Sequence, residues 1–86
     1  MINQKRLGTV LANVATALHA ERVRRGDSMN GVAERAGLSQ PMVSLVEREM
    51  RNPTLDTLLR ISYALEVDLS DVLKKALQYA GWDAKR

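Results

Sequence analysis

Between Ser28 and Glu49, two short apolar-faced runs are separated by only Gly37-Leu38-Ser39, and that junction constrains the chain more than any other feature. Val32, Ala33 and Ala36 recur on one side of the first run, and Val43 and Val46 on one side of the second, at helical spacing. Gly37 can take the positive φ that a tight turn demands. Ala33 is small where the two helices must approach, and Leu38 can plug the corner beneath them. Ser28 and Ser39 are suited to cap the two helices, and Pro41 sits in a first turn, where its missing N–H costs nothing. Helices joined this way cross steeply, so the second, Gln40 to about Glu49, stands out with its N-terminus leading.

The rest of the chain reads as three further helices. The first runs from about Asn3 to Arg25, with Leu7, Leu11, Val14 and Leu18 drawing one stripe, and Arg24 and Arg25 before the stop at Gly26. After the loop Arg51-Asn52-Pro53, Thr54 caps a fourth helix with Leu55, Leu58, Ile61 and Leu65 on one face. Asp68 or Ser70 caps a fifth, which carries Leu69, Val72, Leu73, Ala76, Leu77 and Ala80 up to Gly81. No stretch alternates with period two over strand length. The expectation is an all-α, five-helix domain over residues 1–86, with a core at about 18–73. Residues 3–17 extend the first helix, and 70–86 form a C-terminal helix and tail.

Composition narrows the function. The 86 residues contain no Phe and no Cys, so the core is aliphatic, and disulfides and thiolate metal sites are excluded. No phosphate-binding Gly loop, clustered carboxylates or nucleophile–base pair is present, and an enzyme is not expected. No cofactor or metal is expected either: His19, the single histidine, reads as a surface residue of the first helix. The sequence shows neither a leader nor a membrane span, which gives a cytoplasmic expectation with no membrane partner. The formal net charge is +3, and residues 1–37 carry six cations against three carboxylates. Such an imbalance is compatible with a polyanionic partner and equally with a solvated face.

The segment Ser28–Glu49 resembles the phage repressor/Cro-type (Xre-like) helix-turn-helix family. The resemblance continues through Arg51-Asn52-Pro53-Thr54-Leu55-Asp56-Thr57-Leu58-Leu59 and Ala64-Leu65-Glu66-Val67, and covers about Leu18 to Leu73. It implies a DNA-binding regulator whose third helix enters the major groove. On this resemblance Gln40 is the base-reading residue, since its amide can pair bidentately with adenine N6 and N7. Ser44 faces the same way, and Pro41 and Leu45 are placed to touch thymine methyl groups. Phosphates would be held by Ser39, Arg48, Arg51 and Asn52, and by backbone amides at the start of the second helix. Arg22 and Glu47 match a bridge that braces the third helix against the first. The sequence departs from the family at Met29, where a phosphate-contacting glutamine is usual, and Asn30 is expected to replace that contact. It departs also at Pro41, which offers no polar group, and at Glu21, where an apolar residue is preferred.

One module covers about one half-site, so the resemblance implies a homodimer on a pseudo-palindromic operator. Control would come through its own concentration, including autoregulation, as in restriction–modification controllers and small repressors. Leu73, Leu77, Tyr79 and Trp82 are the expected dimer interface, because the apolar face of the fifth helix is too wide for one core; Tyr63 could serve either role. The alternative is an antitoxin that binds a toxin protein through Leu7, Val10 and Leu11 of the extended first helix.

Overall fold

A computed structural model of the chain describes residues 3–49 and 52–82. Among these residues there are five helices and no strand. The helices are α1 (Gln4–Arg25), α2 (Met29–Ala36), α3 (Gln40–Glu47), α4 (Leu55–Leu65) and α5 (Leu69–Tyr79). Local side-chain chemistry sets nearly every boundary. The side chains of Asn3, Ser28, Ser39, Thr54 and Asp68 each accept a hydrogen bond from a first-turn amide. Gly26 and Gly37 close α1 and α2 in the left-handed region, at φ 73° and 69°. One boundary differs from expectation, and another lacks the glycine that eases such an end. The third helix ends at Glu47, and Glu49 then takes φ 59°; Glu66 ends α4 at φ 57° with no glycine to ease it. Such conformations cost a non-glycine residue free energy that tertiary packing must offset.

The core gathers Val10, Val14 and Leu18 of α1, Val32 and Ala36 of α2, Val43 and Val46 of α3, and Leu58, Ile61 and Leu65 of α4. Leu69 and Ala76 of α5 complete it. Leu18, Val32, Val43, Val46 and Leu65 are fully enclosed. The buried stripe of α1 is shifted from the expected one. Val10 is buried while Leu7 and Leu11 are half-buried, and α5 packs along α1. Asn13 Nδ2 donates to the Ala76 carbonyl, at 3.2 Å, across that contact. Of the toxin-facing ridge expected of Leu7, Val10 and Leu11, Val10 is withdrawn into the core while the other two stay partly exposed. Leu55, expected on the inner face of α4, is 64% exposed.

Two arginines fasten the helix-turn-helix to α4 by exchanging carbonyls. Arg35 Nε of α2 donates to the Ala64 carbonyl at 3.1 Å, and Arg60 Nη1 of α4 donates to the Ala36 carbonyl at 3.2 Å. Each satisfies an orphan carbonyl at the other helix's C-terminus. The turn between α2 and α3 is thus held from below, and the exposed side of α3 is left clear.

Candidate nucleic-acid interface

The outward side of α3 follows from its inward one. With Val43 and Val46 at 0% and 2% exposure fixing the buried side, 100° per residue puts Pro41, Ser44, Leu45 and Arg48 on the opposite side. Pro41 and Arg48 are exposed, and Ser44 and Leu45 are half-buried. Gln40 opens the helix on the flank nearest α2, where its Nε2 lies 3.3 Å from Met29 Sδ. Ser39 Oγ accepts from the Met42 amide, so its hydroxyl is engaged as a cap. Ser28 does the same for Gly31, leaving the amides of Met29 and Asn30 at the open end of α2. Arg48 folds back, its Nε 3.4 Å from the Ser44 carbonyl. Asn30 and Asn52 are exposed, and Asn52 also lines a cavity with Leu11, Ala15 and Leu58. Arg51 lies outside the described residues.

The brace behind α3 has a third member. Glu47 is 6% exposed, and Arg22 grips it in fork geometry, with Nε 2.7 Å from Oε2 and Nη2 3.0 Å from Oε1. Such a two-point guanidinium–carboxylate contact fixes orientation as well as distance. Arg22 Nη1 also donates to the Asp27 carbonyl, tying the α1–α2 turn to the same group. His19 adds the third contact, its Nδ1 2.8 Å from Glu47 Oε1. Because a carboxylate only accepts, His19 must donate from Nδ1. Burial alone would push the Glu47 carboxyl up, but Arg22 and then His19 hold it below the ordinary carboxylate range. The guanidinium of Arg22 is raised in turn, chiefly by its hydrogen bonds to Glu47. His19 was read from sequence as a surface residue; its placement three residues before Arg22, on one helix face, was the available signal. Replacing His19 by alanine is expected to lower stability by about 1 kcal/mol, since its ring is 49% exposed and Arg22 remains. Thermal denaturation checks this, and an unchanged Tm would show that His19 adds nothing to the brace.

The basic excess of residues 1–37 does not form a free cationic face. Arg25 and Arg35 both reach Asp27 Oδ2, at 3.0 and 2.9 Å, and Arg25 also meets Glu66 at 2.9 Å. Arg24 pairs with Glu21, which explains a charge where an apolar residue was expected. Among the described residues, the cations outside any ion pair are Lys5, Arg6, Arg48, Lys74 and Lys75. The expected interface residues of α5 fall on two flanks. Leu73 lines a shallow cleft with Leu59 and Tyr63 of α4, whereas Tyr79 lines a groove against α1. Leu77 and Trp82 pack half-buried against the monomer's own core.

The Helix-turn-helix family matches residues 18–72. Two proteins described as uncharacterised HTH-type transcriptional regulators of Mycobacterium tuberculosis, from strains CDC 1551 / Oshkosh and H37Rv, are each 42% identical over 50 residues. That match takes in 58% of this chain and 36% of each relative, so the chain spans about a third of their length. Among solved structures, a mutant of the Restriction-Modification Controller Protein C.Esp1396I superposes with TM-score 0.73 at 25% identity, covering 80% of this chain and 90% of that one. Its wild-type form gives 0.72 at the same identity and coverage. A further mutant of that controller, bound to its highest affinity operator site OM, gives TM-score 0.74 at 24% identity, covering 84% and 95%. With more than half of its length matched, the chain belongs to the helix-turn-helix family.

Proposed function

We propose that this protein is a sequence-specific double-stranded DNA-binding transcriptional regulator that acts as a homodimer on a pseudo-palindromic operator. One observation carries the reading. The exposed face of α3, headed by Gln40, is left clear of intramolecular ion pairs, while Glu47 on its inner flank is locked to α1. A helix held so firmly from behind and presented so freely in front is suited to a groove. Gln40 and Ser44 read base edges, Pro41 and Leu45 meet thymine methyl groups, and Ser39, Asn30, Arg48, Arg51 and Asn52 hold phosphates. The mode of control, on this reading, is the protein's own concentration, including autoregulation. Binding to a duplex carrying its site should weaken linearly in log–log form as salt rises, with a slope reporting several phosphate contacts. A slope near zero in a gel-shift series would overturn the reading.

The homodimer rests on α4. Leu55, Leu59 and Tyr63, four residues apart, form a row of large hydrophobic side chains that are 64%, 51% and 79% exposed. Leu73 continues this row across the cleft to α5. A two-fold axis sets such a row against its own copy, which is the arrangement a symmetric dimer requires. Tyr79, Leu77 and Trp82 are displaced from the centre of this face. Leu59→Asp would place two carboxylates at that axis, and it should give a folded monomer in sedimentation where the unmodified chain is dimeric. A persistent dimer would move the interface off α4.

A further inference from the structure

We propose that Met29 determines base specificity, by fixing the amide of Gln40 so that it selects adenine over guanine. The inference rests on the base-reading role of Gln40 and names what sets its preference. The observation is the contact between Gln40 Nε2 and Met29 Sδ, 3.3 Å apart, with both side chains half-buried between α2 and α3.

The chemistry is one-sided. A thioether sulfur has lone pairs and no hydrogen, so it can only accept. Facing it, the amide must turn its NH2 group toward α2, since the opposite orientation would set Oε1 against sulfur lone pairs. One of the two amide hydrogens is then occupied. What remains for the groove is one N–H and the Oε1 acceptor. Adenine presents the complement of that pair, an N7 acceptor and an N6 amino donor. Guanine presents two acceptors, N7 and O6, and a glutamine meets both only by giving both amide hydrogens. Met29 withholds one of them. A side chain at position 29 able both to donate and to accept would permit either amide orientation, whereas the sulfur permits one. Met29 touches Gln40 and not the base, so it is a positioning residue.

The test is a ratio of affinities, which is blind to how much of a variant is folded. The position read by Gln40 is first located as the one whose preference relaxes in Gln40→Ala. Affinities of the full chain are then measured on two duplexes that differ only by A·T or G·C there. The unmodified chain should favour adenine by about tenfold or more, the scale of a bidentate contact. Met29→Leu keeps the apolar volume and removes the acceptor, and it should shrink the preference to within about threefold. Met29→Glu restores a group that only accepts and should recover most of it, whatever its charge costs on both duplexes alike. An unchanged ratio in Met29→Leu would overturn the proposal, as would a Met29→Glu ratio no higher than that of Met29→Leu. If Gln40→Ala instead weakens all duplexes alike, the base-reading role of Gln40 fails, and this inference with it.

Discussion

Replacing Glu47 by alanine is expected to destabilise the protein by about 3 kcal/mol, because it leaves Nε and Nη2 of the largely buried Arg22 without their carboxylate while Nη1 keeps the Asp27 carbonyl. At about 4–8 °C per kcal/mol for a domain of this size, the fall in Tm should exceed ten degrees. Much of that cost is the penalty of stranding the partner, so removing both residues should cost less than the sum of the two single changes. Glu47→Gln separates charge from shape, since it keeps the carbonyl oxygen but loses the ion pair. The pH dependence follows from the same contacts. Glu47 titrates below its ordinary value of 4.5 in the folded chain. Its contribution is therefore complete above that value, and it is lost as pH falls through the lower, folded one. Stability of the unmodified chain should drop below about pH 4.5 more steeply than that of Glu47→Gln. Parallel acid profiles would show that the brace contributes no charge-dependent stability.

The second large effect is on binding. Gln40→Ala should weaken binding to the preferred site by ~1–3 kcal/mol and erase preference at one base position per half-site. Non-specific binding should hardly change, because phosphate contacts dominate it. Competition between preferred and scrambled duplexes measures both quantities together. Equal loss on every duplex would mean that Gln40 orients the protein on the backbone and reads nothing. The two predictions differ in kind. Glu47 supports the recognition helix from behind, and its loss is felt first as unfolding; Gln40 is half-exposed at the front, and its loss leaves the fold intact.

What the sequence made legible was local chemistry. Ser28, Ser39 and Thr54 announce helix starts because a hydroxyl reaches an amide two or three residues on, and that geometry needs no tertiary partner. Gly26 and Gly37 announce ends for an equally local reason, their left-handed φ. The Arg22–Glu47 bridge was legible through resemblance alone. Features that depend on where helices lie relative to one another were not legible. His19 reaches Glu47 across 28 residues of sequence, and Arg35 and Arg60 trade carbonyls between α2 and α4. The excess positive charge of residues 1–37 is compatible from sequence with a polyanionic partner or a solvated face, and only the fold shows four of its arginines spent in ion pairs. Leu55 shows the same limit from the apolar side. Its spacing to Leu58 matches an inward stripe, but it precedes the turn where α4 meets the core, so it stands in solvent. Periodicity told which residues share a helix face, and only packing told which face was covered.

The candidate site divides in the same way. Gln40, Ser44 and Arg48 lie one turn apart and follow from helical spacing once α3 is identified. The partnership of Gln40 with Met29 does not, because it depends on the steep crossing of α2 and α3 that Gly37 permits. Met29 stood out from sequence only as a departure from the family pattern, and in the fold it is the nearest neighbour Gln40 hydrogen-bonds.

The most direct measurement is selection of bound duplexes from a random pool by the full chain, followed by the same selection with Gln40→Ala. The expected winner is an inverted-repeat consensus whose half-sites lie about one helical turn, roughly 34 Å, apart. An adenine in each half-site should vanish from the Gln40→Ala consensus. Enrichment of no sequence, or of a consensus unaltered by the loss of Gln40, would contradict base reading through Gln40.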